Sequence, residues 1–168
     1  NGIYGQTFKV PDPYIPKVGA KIMSLQDPTR KMSKSDENVN SYVALLDKPD
    51  DIMRKFKRAI TDSDAQVRYG EGKDGINNLM GIYSVMTGKT NEEIEREFDG
   101  KGYGDFKLAV GEAVVDHLRP IQEEFTRLIG DKAYLEQCYT KSAEIALRIS
   151  QRTLDKAMKK VGFVKRAF

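Results

Sequence analysis

Apolar residues fall at helical spacing over most of the chain after residue 48, and show little regular spacing before it. Pro49 and Asp50 suit the first turn of a helix, and Ile52, Met53, Phe56, Ala59 and Ile60 follow on one face. Ile76, Leu79, Met80, Tyr83 and Met86 make a second stripe, ended by Gly88. Thr90 and Glu93 stand in capping-box register and open a short helix with Ile94 and Phe98 one turn apart. Phe106, Val110, Ala113, Val114, Ile121, Phe125 and Leu128 mark a long helix closed by Gly130, with Pro120 inside it removing one amide donor. A last helix is predicted over residues 132–161, with Leu135, Ala146, Ile149, Leu154 and Met158 as its apolar positions. The bulk of the chain therefore reads as a helical bundle.

Residues 1–48 read differently. Thr7, Phe8, Lys9 and Val10 alternate as a short strand would, and then Pro11, Pro13 and Pro16 bar regular structure. Ile22, Met23, Ser24 and Leu25 make a second short strand, closed by the turn formers Asp27 and Pro28. Two strands are too few for a sheet of their own. Cut out of a larger sheet, this part would bare Ile3, Tyr4, Phe8, Val10, Ile22 and Leu25, and would be poorly anchored or buried against a second copy. The chain opens on Asn1 rather than Met, so a fragment lacking an N-terminal portion is the expectation.

Composition narrows the classes. Of the 168 residues, 32% are charged and 39% hydrophobic, which fits an ordinary globular protein rather than a disordered one. The net charge of +3 is compatible with binding RNA or a nucleotide and diagnostic of neither. A single cysteine, Cys138, cannot form an internal disulfide, which points to a reducing compartment, and it is expected to pack as a small hydrophobe. Nothing resembles a signal peptide or a membrane span, so the cytoplasm is the expected location. Cys and His do not cluster at metal-ligand spacing, no Walker-type phosphate cradle is present, and no metal site is expected.

The stretch that carries chemistry is Lys31-Met32-Ser33-Lys34-Ser35. Two ammonium groups separated by small hydroxyls can wrap a polyanion: lysines supply charge, while serines and backbone amides donate hydrogen bonds. A cationic loop leaving the end of a strand is where an open α/β sheet meets its ligand. A Lys/Ser run by itself is more simply a solvated surface loop. The longer run Gly19-Ala20-Lys21-Ile22-Met23-Ser24-Leu25-Gln26-Asp27-Pro28-Thr29-Arg30 before it, continuing to Asn38, adds the specificity that five residues lack. Residues 31–35 match the KMSKS signature of the class I aminoacyl-tRNA synthetases, and residues 19–38 resemble its version in the bacterial tryptophanyl-tRNA synthetases. Gly100-Lys101-Gly102-Tyr103-Gly104 and Leu118-Arg119-Pro120-Ile121-Gln122-Glu123 are similar to the C-terminal half of that family, and the resemblance weakens only in the last several residues.

The resemblance implies a mainly α chain. A helical anticodon-binding domain, residues 49–168, would follow a remnant of a Rossmann-like α/β nucleotide-binding domain, residues 1–48, that carries the KMSKS loop. It also implies a reaction: ATP activates tryptophan with release of pyrophosphate, and the acyl group then passes to tRNA(Trp). Lys31 and Lys34 would stabilise the leaving pyrophosphate, with Mg²⁺ sharing the charge, while Ser33 and Ser35 shape the loop. Ile22 and Met32 fall where the family places apolar contacts to adenine, although Ile22 reads equally as an ordinary core residue. The family works as a homodimer, mostly through its N-terminal domain.

The family's His-x-Gly-His-like signature is absent from these residues, so the chain by itself is expected to be inactive. His117, the only histidine, stands one turn from Ala113 and from Ile121, and is expected to be structural at a helix interface. Candidates for tRNA contact are Lys89, Lys101, Lys107, Arg119 and Arg127, near helix ends. The basic cluster Arg54-Lys55-Phe56-Lys57-Arg58 reads equally as a solvated face or an RNA contact. Two alternatives remain: a tyrosyl-tRNA synthetase fragment, and a non-catalytic RNA-binding helical module.

Overall fold

A computed structural model describes residues 1–16 and 19–164. It is mainly helical: α1 (Pro49–Lys57), α2 (Asp74–Thr87), α3 (Asn91–Glu97), α4 (Tyr103–Ile129) and α5 (Lys132–Val161). The chain divides into two compact units, one of residues 15–124 and one of residues 1–14 with 125–168. The split expected at residue 48 falls inside the larger of these units.

In the larger unit most positions of the predicted stripes become the core, whereas Ile60, beyond the end of α1, and Ile121 of α4 are exposed. Ile52 and Phe56 of α1, Ile76, Leu79, Met80 and Tyr83 of α2, Ile94 of α3, and Phe106, Val110, Val114 and Leu118 of α4 are all buried. Tyr83, Phe98 and Phe106 meet edge to face, with ring centroids 4.9 to 5.8 Å apart, the geometry that aromatic quadrupoles favour. Pro49 occupies the first turn of α1, and α2 ends on Gly88 at φ 75°. The capping box of α3 is complete: Glu93 N–H donates to the Thr90 hydroxyl (3.3 Å), and Thr90 N–H donates to the Glu93 carboxylate (2.8 Å).

One glycine is required by close approach. A Cβ on Gly75, in the first turn of α2, would lie 2.2 Å from the carbonyl oxygen of Ile60. That carbonyl belongs to the turn whose amide, Ile60 N–H, donates to Leu25 O at 2.8 Å.

The segment entering α2 is tied by a polar cluster. Tyr103 O–H donates to Asp62 Oδ1 at 2.6 Å, and Lys73 pairs with Asp64 and lies 3.9 Å from Asp62 Oδ1. Burial raises the Asp62 carboxyl, but the Tyr103 hydroxyl, the Asp64 amide and the Lys73 charge outweigh it and hold its pKa below the usual value. Burial, then the Asp62 carboxylate, push the Tyr103 phenol up to about 12.

In the smaller unit, Asn1 closes the first residues on themselves, accepting from Thr7 N–H and Phe8 N–H at 2.9 Å each and donating to Phe8 O at 2.7 Å. Lys160 of α5 donates to the carbonyls of Tyr4 (3.3 Å) and Gln6 (2.7 Å).

Several expectations change. Residues 7–10 form no strand: the Thr7 and Phe8 amides and the Phe8 carbonyl bond to Asn1 rather than to a neighbouring strand. Ile3, Tyr4, Phe8 and Val10 are exposed as expected, but Ile22 is half-buried and Leu25 is in the core. Of the apolar positions of α5, Ala146, Ile149 and Leu154 are exposed and Leu135 and Met158 half-buried, and no residue of the helix is buried. Cys138 lies on this exposed helix and does not pack as a hydrophobe. His117 is exposed too, since α4 turns Val114 and Leu118 inward and leaves residue 117 on its solvent flank.

Two outcomes follow. Gly75→Ala is expected to destabilise the protein by about 2 kcal/mol, because rigid backbone rather than a flexible side chain blocks the added carbon; urea unfolding checks this. For the polar cluster, a carboxyl with a lowered pKa contributes stability above its ordinary range that is lost as pH falls, and a phenol with a raised pKa contributes stability that is lost as pH rises from about 10 to about 12. Tyr103→Phe should cost about 1 kcal/mol near neutral pH and flatten the alkaline limb of stability against pH.

Candidate functional site

Residues 22–32 form an irregular hairpin. Ser24 N–H donates to Arg30 O (2.8 Å) and Met32 N–H to Ile22 O (3.0 Å), flanking the antiparallel pair Met23 and Lys31. Local polar side chains make its turn: Thr29 donates to Asp27 Oδ1 through its amide (3.1 Å) and its hydroxyl (2.6 Å), and Ser24 Oγ accepts from the Gln26 and Asp27 amides. The side chain bonds hold the Asp27 carboxyl below its usual pKa.

The hairpin's second arm runs straight into Lys31, Met32, Ser33, Lys34 and Ser35. Ser33 Oγ accepts from Ser35 N–H (3.2 Å) and Ser33 O from Asp36 N–H (3.2 Å), which closes a turn at this point. Asp36 and Asn38 continue in the same way, each accepting from the amide two residues on. Lys31, Ser33, Lys34 and Ser35 are exposed, and among the described residues neither lysine takes part in an ion pair.

Ile22 and Met32, both half-buried, line one apolar groove of about 220 Å³ with Val43, Leu45, Phe56 and Val114. The structure thus gathers the residues predicted for adenine on one surface, with Lys31 and Ser33 flanking Met32 in the chain. Among the described residues no three His, Cys, Asp or Glu gather as a metal site.

The segment after the loop is locked by a buried charge. Lys55, from the basic cluster on α1, is buried; its ammonium donates to Asp47 Oδ2 at 2.6 Å and lies 5.1 Å from the Tyr42 ring centroid. Asp47 Oδ2 also accepts from Ala44 N–H (2.8 Å), and Gln122 of α4 donates to the carbonyls of Leu45 (2.8 Å) and Asp47 (3.0 Å). Lys55 is therefore neither a solvated residue nor an RNA contact, and Arg54 pairs with Asp51 at 2.7 Å.

The five predicted tRNA contacts occupy different settings. Lys89, between α2 and α3, pairs with Glu97 at 2.8 Å. Lys101, in the turn before α4, lies 5.0 Å from the Phe98 ring centroid and lines a cavity of about 340 Å³ with Ala65, Arg68 and Glu95. Lys107 is half-buried, and burial lowers its pKa against the opposing pull of Asp62. Arg119 pairs with Asp116 at 2.8 Å, and Arg127 sits exposed on the last turn of α4.

One feature of the site escaped sequence reasoning. Asn78 of α2, buried on the helix's apolar side, accepts from Met23 N–H (2.8 Å) and donates to Met23 O (2.9 Å). Its neighbour Asn77 makes the same pair of bonds with Gly70, at 3.0 and 2.7 Å. A signal existed: an amide beside Ile76, Leu79 and Met80 needs a partner once buried.

The family tRNA synthetases class I (W and Y) matches residues 2–119. The chain belongs to that family. Within it, the tryptophan–tRNA ligase of Wolinella succinogenes is 49% identical over 164 residues, covering 98% of this chain and 50% of the relative. That of Clostridium tetani is 48% identical over the same number of residues, covering 48% of the relative. The chain thus spans about half the length of the curated family members it matches. The crystal structure of tryptophanyl-tRNA synthetase from Mycoplasma pneumoniae superposes with a TM-score of 0.79 at 28% identity, over 89% of this chain and 45% of that one. The helical fold around the cationic loop is therefore the family's own.

The buried pair beside the loop gives a direct check. Asp47→Ala strands the Lys55 ammonium out of water and is expected to cost on the order of 3 kcal/mol in urea unfolding. Replacing both partners together, Asp47→Ala with Lys55→Met, should cost less than Asp47→Ala alone.

Proposed function

We infer that this chain is part of a tryptophan–tRNA ligase, supplying the KMSKS loop that handles the phosphates of ATP and a helical domain that binds tRNA(Trp). The observation that carries this reading is the exposed, unpaired lysine couple Lys31 and Lys34 leading from an apolar groove that holds Ile22 and Met32. The curated relatives that this chain matches over about half their length are named tryptophan–tRNA ligases, which favours tryptophan over tyrosine. Residues 1–48 would be the end of the catalytic domain and 49–168 the anticodon-binding domain. Lacking a His-x-Gly-His signature, these residues by themselves would not activate tryptophan. The intact protein would be a cytoplasmic homodimer using ATP and Mg²⁺; no described helix is long and apolar enough to cross a membrane.

Activation attaches the tryptophan carboxylate to the α-phosphorus of ATP and breaks the bond to the bridging oxygen, so negative charge grows on the departing pyrophosphate. Ammonium groups already in place beside those oxygens favour the transition state over the ground state. Lys31 and Lys34 are suited to this because no carboxylate of the protein neutralises them among the described residues. Ile22 and Met32 would meet the adenine face, Ser33 and Ser35 would hold the turn, and Lys89, Lys101, Lys107, Arg119 and Arg127 remain the proposed tRNA contacts.

In the intact protein, Lys34→Ala is expected to lower kcat for tryptophan-dependent pyrophosphate exchange about 100-fold, close to 3 kcal/mol, while ATP affinity changes little. Equal losses in both would contradict the role. Exchange with neither tryptophan nor tyrosine would favour a non-catalytic RNA-binding module.

A further inference from the structure

We propose that Asn78 is a positioning residue for the KMSKS loop, its carboxamide serving as a one-residue third strand that fixes the hairpin carrying Lys31 and Lys34 to α2. In an antiparallel ladder, hydrogen-bonded pairs alternate with pairs whose own N–H and C=O point away from each other. Met23 and Lys31 are such an outward-facing pair, since the bonds joining the two arms belong to Ser24 with Arg30 and Met32 with Ile22. Met23 N–H and C=O therefore point away from the partner arm, at the side where a sheet would continue. No strand is there; the Asn78 amide fills the place with a donor and an acceptor at 2.9 and 2.8 Å. Carboxamide is the side-chain group that carries both functions in the geometry of a peptide.

This matters to chemistry because the hairpin has few other holds on that side. Leu25 N–H donates to Ser41 O (3.0 Å), and Leu25 O accepts from Ile60 N–H (2.8 Å), both one pleat further from the loop. Asn78 grips the residue directly opposite Lys31. Losing it frees the root of the loop to tilt, and a tilt of about 1 Å is enough to cost a reaction that depends on preplaced charge. The proposal rests on the ligase reading for its kinetic consequence, but its structural core does not.

Asn77 supplies the control. It makes the same two bonds from the next position of the same helix, but to Gly70, which is outside the loop hairpin. In the intact protein, Asn78→Leu is expected to lower kcat of pyrophosphate exchange by about 10- to 100-fold with KM for tryptophan little changed, and Asn78→Asp, which keeps the acceptor, to fall between it and wild type. Asn77→Leu should lower thermal stability comparably and leave kcat within about twofold. Amide exchange read on the ligand-free protein should show faster exchange at both Met23 and Met32 in Asn78→Leu, and at Gly70 only in Asn77→Leu. Equal kcat losses from the two leucine variants, no loss from either, or unfolding of both Asn78 variants would overturn the proposal, assigning Asn78 to the scaffold alone. Unchanged protection of Met32 in Asn78→Leu would overturn it too. A wild-type protein with no exchange activity sinks the ligase reading instead, and the amide measurements still decide the role of Asn78.

Discussion

A short extended segment that lacks a sheet must still place every amide and carbonyl that it takes out of water. Residues 22–25 draw backbone partners from four directions: the second arm of the hairpin, the Ser41 carbonyl, the Ile60 amide and the Asn78 side chain. Each partner belongs to a different stretch of chain, so the position of the hairpin depends on how the helices are packed. The same dependence explains Gly75. With any side chain there, α2 could not approach the 60–61 turn, and the amide that reaches Leu25 would be carried away from it.

Side chains from helices hold the other loops of this unit as well. Asn77 ties Gly70, Lys55 ties Asp47, and Gln122 ties the carbonyls on either side of residue 46. Such ties cost desolvation, and removing one partner costs more than never having had the pair. Their return is geometric: a loop held at its root by buried bonds and exposed at its tip can present charge in a fixed place while its ligand comes and goes. Residues 33–40 complete the contrast, since their internal bonds run between neighbours two or three positions apart.

The helices were legible in the sequence because their signals are local. Period, caps and breakers located α2, α3 and α5 to within a residue or two, and the capping box of Thr90 and Glu93 formed as its spacing required. Burial was less legible because it is not local. Ile149 and Leu154 repeat as a core face does, yet periodicity tells which side of a helix is apolar and not whether anything covers it. His117 went astray by about a quarter turn, which is all that separates the buried flank of α4 from the wet one. The cationic loop could be found from its residues, whereas Asn78 could not be tied to it: a separation of 55 positions carries no mark in the sequence.

Charge density along the sequence does not tell which cations are free of carboxylates. The densest basic cluster, around Phe56, contains Lys55 in a buried ion pair and Arg54 in an exposed one. Lys73, Lys89 and Arg119 are likewise matched with carboxylates. A cation already paired must break that pairing before it can serve a phosphate, and the cost cancels much of the new attraction. Lys31 and Lys34 bear no such cost among the described residues. Their neighbours are hydroxyls and a thioether, and the acidic residues closest in the chain, Asp27, Asp36 and Glu37, make no ion pair with them among the described residues. Lys57 is as exposed and, among the described residues, as free of an ion pair, so what marks Lys31 and Lys34 is their place beside the groove that Ile22 and Met32 line.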